Sequence, residues 1–344
     1  MLKYLKQQII GIFLFTFLPF FLLKADSEFS KSSVRDAYFS PYSTEGYLQA
    51  WSFHFYSDRQ FFQIVFGVSH LGPGNLNHGL MVVQYTDSKP KFFTEMSTQQ
   101  GLVVDKKHFY FKSGKSGMKY RRGKYKVFLN LQEIKLQLEL SANNRGRKLS
   151  AGRHYLKTGG FIKSDTLVSF GTAKLSYIMG NKKVELKGRG GLEHLLMNRE
   201  VYQFSKAWEI HRFMASSGER VYLGGFEGKG KESAFYTIIV EDKNGKLVYS
   251  KILQDRKNNS DILSKKQIKF DLENRCEMEV KLNSNYEKID LLSRSPIYIR
   301  VFIRLFFTKP YLYTFRSSFH LNCPRLMLPL YFQEGISSYY SIDK

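Results

Sequence analysis

The sequence predicts an all-β protein built from two antiparallel domains, and three observations carry that expectation. Aromatic residues make up 16% of the 344 positions, with 30 Phe and 22 Tyr, and such side chains pack best on a pleated surface. Short apolar or alternating runs recur along the whole chain, separated by turns rich in Gly, Asn and Ser. No long stretch with a 3.6-residue period and helix caps interrupts them. A hydrophobic content of 43% over this length is enough for two separate cores.

In chain order, Lys3 and Lys6 precede an uncharged apolar run, Ile9–Leu23, and Ala25 stands where a signal peptidase cuts. Residues 1–25 therefore read as an export signal, which places the mature chain in the periplasm, at the outer membrane or outside the cell. An uncleaved anchor is the alternative, although the run is short for a span of about 20 residues. Residues 26–44, rich in Ser, Asp and Lys, read as a flexible lead-in.

Strand signals begin at Tyr47–Tyr56, where Tyr47, Gln49, Trp51, Phe53 and Phe55 share one face and His54 lies on the other. Phe61–Val68, Leu80–Tyr85, His108–Lys112, Lys124–Leu129, Ile134–Leu140 and Val168–Ile178 continue the series. The pattern repeats at Ala207–Met214, Val221–Phe226, Ala234–Glu241, Leu247–Leu253, Gln267–Leu272, Met278–Leu282, Ile297–Phe306 and Tyr311–Leu321. Asp242-Lys243-Asn244-Gly245-Lys246 is a hairpin turn, since Asn-Gly suits type I′ geometry. The expected domains are 45–186 and 187–330, followed by an irregular aromatic tail at 331–344.

The formal net charge is +23. It reads either as attraction to an anionic membrane surface, lipopolysaccharide or another polyanion, or as a solvated lysine-rich surface. No helix-turn-helix, zinc-finger or RNP-type pattern accompanies it, so nucleic acid is not expected as a partner. Cys276 and Cys323 are the only cysteines. They form one disulfide in an oxidising compartment or remain two buried thiols.

The most informative stretch lies just past the midpoint. Gly188-Arg189-Gly190-Gly191-Leu192-Glu193-His194-Leu195-Leu196 follows a hairpin whose turn is Gly180-Asn181, and Trp208 stands on the next strand. Glycines allow positive φ or close approach of another segment. Glu193 and His194, as neighbours on a strand, point to opposite faces. Together with Glu45-Gly46-Tyr47-Leu48-Gln49-Ala50-Trp51 near the start, this stretch resembles the tandem lipocalin-like superfamily of AttH-like proteins, carotenoid 1,2-hydratases (hydroxyneurosporene synthases) and Svf1-like factors. The resemblance implies two tandem lipocalin-like antiparallel β-barrels. It also implies acid–base roles for Glu193 and His194 if the chain is an enzyme. Leu196 stands where the hydratase pattern has Trp, and Glu193 where it has Asp, so the catalytic apparatus is incomplete.

No G-x-S-x-G, Walker A, H-E-x-x-H or dinucleotide fingerprint is present, and no cofactor or metal is expected. Gly224–Lys231 is Gly-rich and basic but lies between strands, without the helix a phosphate loop needs. Trp208 and Arg212 share a strand face and suit a ligand with an apolar body and an anionic head, although a core Trp with a rim Arg gives the same pattern. The ligand-binding candidates are Trp51, His54, Trp208 and Arg212. The leading expectation is an exported protein of the cell envelope that binds a hydrophobic small molecule, lipid or isoprenoid. A carotenoid-hydratase-like enzyme and a basic surface protein that binds anionic polymers or host molecules are the alternatives.

Overall fold

The computed structural model describes residues 29–57, 60–70, 76–86, 89–98, 101–142, 146–215, 217–253, 266–272, 276–285, 288–294, 297, 310–322 and 330–342. They form two curled antiparallel sheets. The first contains β1 (Tyr47–Ser57), β2 (Gln60–His70), β3 (Asn77–Tyr85), β4 (Lys91–Thr98), β5 (Leu102–Asp105), β6 (Tyr110–Ser113), β7 (Ser116–Arg121), β8 (Lys124–Asn130), β9 (Lys135–Ser141), β10 (Arg147–Tyr155), β11 (Phe161–Met179) and β12 (Lys182–Asn198). Their order is β4-β3-β2-β1-β12-β11-β9-β8-β7-β6-β5, with β10 paired to β11.

A single helical turn, α1 (Val201–Phe204), leads to the second sheet. That sheet holds β13 (Ser205–Met214), β14 (Arg220–Gly228), β15 (Phe235–Glu241), β16 (Leu247–Leu253), β17 (Gln267–Leu272), β18 (Cys276–Asn285), β19 (Ile289–Asp290), β20 (Tyr311–Asn322) and β21 (Leu330–Ser341). Its order is β16-β15-β14-β13-β21-β20-β18-β17, with β19 on β20. Both sheets follow one plan: a four-strand meander, then a last strand that returns beside the first, β12 beside β1 and β21 beside β13.

Each sheet curls around its own core. The alternation read in β1 places Tyr47, Trp51, Phe53 and Phe55 inside the first, against Phe62, Phe66, Phe111, Leu138 and Leu192. Phe213, Val221, Leu223, Tyr236, Phe270 and Phe319 fill the second. The turn glycines take positive φ, but the Asn244-Gly245 turn is not the expected type I′, which needs positive φ at both central residues; only Gly245 has it. Gly180 (φ 59°) closes the β11–β12 hairpin and Gly245 (φ 77°) the β15–β16 hairpin. In the latter, the Asp242 carboxylate accepts the amides of Asn244 and Lys246, each at 2.8 Å.

The domain boundaries differ from those expected. Residues 187–198 belong to the first sheet, because the Gly-rich stretch continues β12 and pairs with β1 from Arg189 to Asn198. The tail at 331–344 contains a strand: β21 runs between β13 and β20, and Gly335 lets the Phe213 ring lie against its backbone. The lead-in is packed rather than free from Phe29 onward. Phe29 is buried, Lys31 bridges to Arg147, and a 3-10 turn at Val34–Ala37 is held by the Ser33–Asp36 capping box. The expected export signal at 1–25 lies outside the described residues, as does the expected strand 297–306 apart from Ile297.

Cys276 is buried and disulfide-bonded, and Cys323 is the only other cysteine in the chain. Cys323 lies outside the described residues, next to Asn322, which pairs with Glu277 across β18 and β20.

None of the three glycines of the central stretch has a positive φ; they serve close approach. A methyl group at Gly188 would collide with the Tyr56 carbonyl oxygen, and one at Gly190 would lie 2.6 Å from that of His54. Gly188→Ala should therefore destabilise the fold by about 1–3 kcal/mol. Gly67→Ala, on open ground within β2, should be neutral or stabilising. Urea unfolding of the two variants checks the contrast.

Candidate functional site: the seam between the sheets and the buried His194 network

Glu193 and His194 are both buried and face opposite ways, as their adjacency on a strand demands. On β12, His194 pairs with Trp51 and points into the first core, while Glu193 pairs with Ser52 and points toward the second sheet.

Inside the first core, the Gln49 amide lies 2.8 Å from His194 Nε2 and donates to the Tyr38 carbonyl at 2.9 Å. Its oxygen accepts from the Ser40 amide and the Tyr47 hydroxyl. The amide nitrogen is thus the donor, His194 Nε2 accepts, and the ring proton sits on Nδ1, 3.1 Å from Asp165 Oδ2. Burial pulls the His194 pKa below the usual histidine value, and Asp165 opposes that without reversing it. Lys163 lies 3.5 Å beyond Asp165 and donates to the Asp36 carbonyl at 2.7 Å. Trp51 donates its indole N–H to the Ala37 carbonyl at 2.9 Å. The lead-in therefore covers this wall of the core chiefly with backbone groups.

On the other face of β12, the outer face of the first sheet packs against the second. Arg212 on β13 grips the Glu193 carboxylate with two nitrogens, Nε at 2.6 Å from Oε1 and Nη2 on Oε2. Burial alone would lower the Arg212 pKa, but Glu193 and Tyr56 outweigh it and the guanidinium stays charged. His54 lies 3.9 Å from Glu193, its ring over the space left by Gly191. Burial first, then the Arg212 charge, holds His54 neutral, far below the usual histidine pKa. Burial also raises the tyrosines around it: Tyr340 to about 12, and Tyr56 and Tyr222 further.

Apolar clusters flank this polar centre. One joins Phe61, Val83 and Tyr85 to Ile289, Leu312 and Tyr340. Another joins Leu48, Ile162, Leu195 and Met197 to Phe204, Trp208 and Phe226. Further bridges cross the seam: the Tyr85 hydroxyl to Thr314 at 2.7 Å, Gln63 to the Tyr340 hydroxyl, and Arg147 to Glu241 at 3.5 Å. Beside the last of these, Phe170, Tyr222, Arg220 and Glu241 line a crevice of about 10 Å³.

The second core holds a polar group of its own. His211 lies between Ser337 (2.7 Å) and Glu209 (3.3 Å), and the Tyr236 hydroxyl donates to Glu209 at 3.1 Å. Among the described residues, no group of three or more His, Cys, Asp or Glu side chains is arranged to hold a metal ion.

The four ligand-binding candidates do not converge on one cavity. Trp51 belongs to the first core; His54 and Arg212 meet Glu193 in the seam; Trp208 stacks on Phe226 at 5.7 Å in a neighbouring part of it. Trp208 and Arg212 do share a face, but it is the outer face of the second sheet, because Phe213 on the alternate face fills the second core. Gln49, Asp165, Gln63, Tyr222 and Tyr340 complete the two arrangements and were not singled out from the sequence. Asp165 is the one acid between Phe161 and Met179, and that was its one signal in the sequence.

No protein-family model matches the sequence, and no curated protein matches it. Solved structures do. A Nitrosomonas europaea protein provisionally named AttH superposes with a TM-score of 0.59 at 9% identity, over 86% of this chain and 92% of that one. Kievitone hydratase from Nectria haematococca gives 0.54 at 11% identity, over 91% and 93%. CghA gives 0.58 at 8% identity, over 92% and 98%. At such identities the likeness establishes the fold: this chain has the tandem lipocalin-like architecture of those proteins, as the two motifs implied.

The buried pair sets an asymmetric expectation. Glu193→Leu or Arg212→Met alone should cost about 3–5 kcal/mol by stranding a buried charge, and the double variant should cost clearly less than their sum. A denaturant double-mutant cycle measures this.

His54 and His194 both have folded pKa values below the unfolded one. Their contribution to stability is complete above about pH 6.5 and is lost as pH falls toward the folded values. Unfolding free energy should decline from pH 7 to pH 5, and more shallowly in His194→Gln, as urea titrations across that range would show.

Proposed function

We propose that the protein holds a small, largely apolar molecule with a polar or anionic head in the seam between its two sheets, at His54, Glu193 and Arg212. One observation carries the reading: a group of buried polar atoms without hydrogen-bond partners lies there. Both ring nitrogens of His54, Arg212 Nη1, Gln63 Oε1 and Ser338 Oγ are buried with none of ordinary geometry. The Ser169 backbone draws the His54 pKa upward and Arg212 draws that of Tyr56 downward, both without a bond of ordinary geometry. Each unpartnered group costs about 1–3 kcal/mol, so a cluster of them belongs where a ligand or water completes the set. Phe61, Phe170, Tyr56 and Tyr222 supply apolar surface around it. The adjoining crevice, at about 10 Å³, has room for roughly one water, so a larger ligand enters by parting the sheets. CghA has been solved with Sch210972, which supports a small-molecule role for the architecture.

The binder is proposed to be exported to the cell envelope. The charged-then-apolar start at 1–25 and the bonded Cys276 support this. A second reading, an enzyme that adds or removes water, draws support from the neutral His54 beside three un-ionised tyrosines, a set able to pass protons, and from the named activity of kievitone hydratase.

Native mass spectrometry of the purified protein, before and after organic extraction, tests the binding reading. A small extractable molecule is expected in the wild type, with occupancy cut at least about tenfold in His54→Phe while the melting temperature stays within a few degrees. Equal occupancy in both proteins would remove the seam as the site, and consumption of a bound alkene with a gain of water would favour the enzyme. N-terminal sequencing of envelope protein should find a chain starting near residue 26; an intact Met1 in the cytoplasm would end the export reading.

A further inference from the structure

We propose that the exposed part of the outer face of the first sheet, β7 to β9 with the hairpin halves of β11 and β12 at 172–189, clear of the seam, docks on a bilayer surface bearing anionic lipid headgroups. This goes beyond the seam reading and does not depend on it. The strands there alternate strictly: Tyr125, Val127, Leu136, Leu138, Ala173 and Leu175 point into the core, and the intervening side chains face out. Across the strands the outward side chains fall into rows. One row runs Lys119, Lys126, Glu139, Lys174, Lys187. Beside it, Arg121 faces Lys124, and Arg189 faces Thr172. Near the hairpin end, Lys135 and Lys183 flank Ile178 from both sides.

Three of these cross-strand partners are cation on cation: Lys119 on Lys126, Arg121 on Lys124, and Lys174 on Lys187. Like charges directly opposite each other weaken a sheet. The acids on the face offset two of these pairs in part and, among the described residues, leave Lys174 and Lys187 without an ion pair. Glu139 is engaged by Lys124 and Lys126, and Glu185 by Lys183. Arg121, Lys135, Lys174, Lys187 and Arg189 remain exposed, free to meet an external anion.

The shape of the array selects the partner. Neighbouring strands lie about 4.8 Å apart and successive outward residues about 7 Å apart along each strand, so the cations form a two-dimensional field rather than a single line. A linear polyanion neutralises a line; a headgroup layer meets a field. Ile178, 42% exposed between two lysines, adds an apolar side chain flanked by cations, the combination suited to the boundary between headgroups and acyl chains.

Sedimentation of the full chain with vesicles tests the proposal. Binding to phosphatidylcholine vesicles containing phosphatidylglycerol should exceed binding to phosphatidylcholine alone, the latter measuring what residues 9–23 contribute. The excess should vanish by about 0.5 M salt, where exposed charges are screened. Lys174→Glu with Lys187→Glu should weaken the excess at least about tenfold, each basic residue at such a surface carrying appreciable attraction. Lys187→Gln with Arg189→Gln should weaken it less and serves if the reversal fails to fold. Lys243→Glu with Lys246→Glu, exposed in the β15–β16 turn of the second sheet, should leave it unchanged. Equal binding to both vesicle types, equal loss in the second-sheet control, or capture of soluble polyphosphate without vesicle binding would each overturn the proposal.

Discussion

The structure depends on a sheet face that cannot be left in water. The outer surface of β1, β2 and β12 carries Phe61, His54 and Glu193, and that of β13 and β21 carries Trp208, Arg212 and Tyr340. Each sheet already wraps a complete aromatic core on its inner side. Its central strands are therefore buried on both faces, and the two sheets must meet. Where they do, the Glu193–Arg212 pair is bidentate and shielded from solvent. Replacing such a pair with apolar side chains is often neutral or even stabilising, whereas removing one member is costly. The pair thus sets how the sheets register more than it adds net stability, since an offset would strand two buried charges.

That constraint explains the glycines at the midpoint. Gly188 and Gly190 bring β12 against the carbonyls of β1, and Gly191 makes room for the His54 ring. The central stretch is therefore a closing strand on one face and half of the inter-sheet seam on the other. Several of the unpartnered polar atoms, on His54, Arg212, Gln63 and Ser338, lie at this same place. Packing two sheets around fixed charges leaves donors and acceptors that neither sheet satisfies, and such a remainder is the physical opening for a ligand.

The two interior networks behave differently. His194 is satisfied on both ring nitrogens, and the lead-in lies over its wall of the core with Asp36, Ala37 and Tyr38 carbonyls engaged. His211, Glu209, Tyr236 and Ser337, with Ser317 bonded to Ser337, form a connected set in the second core. Apart from Asp165 Oδ1, which is buried without a partner, these groups are bonded, and networks of that kind specify packing. His54, neutral and with both ring nitrogens unpartnered in the seam, has capacity to spare. This separates the chemistry from the Glu193–His194 adjacency that drew attention in the sequence: the two residues serve different compartments, and the acid that orients His194 is Asp165, from another strand.

The sequence by itself determined the local grammar. Alternation in Tyr47–Tyr56 and Ile134–Leu140 and the opposed directions of Glu193 and His194 follow from the period of two in a strand, and the hairpin at Asn244-Gly245 follows from its turn residues; these hold whatever the tertiary fold. The shared face of Trp208 and Arg212 was legible for the same reason. Whether that face looked into a core or toward another sheet was not, because both environments bury it and both select apolar neighbours. The tail at 331–344 and the strand allegiance of 187–198 were also beyond local reading. Each is decided by a partner far away in sequence, Gly335 by the ring of Phe213 and Gly188–Gly191 by the backbone of β1. Only the tertiary structure could bring Asp165 to His194 and Arg212 to Glu193, since burial energy fixes which faces meet and period alone fixes only which residues share one.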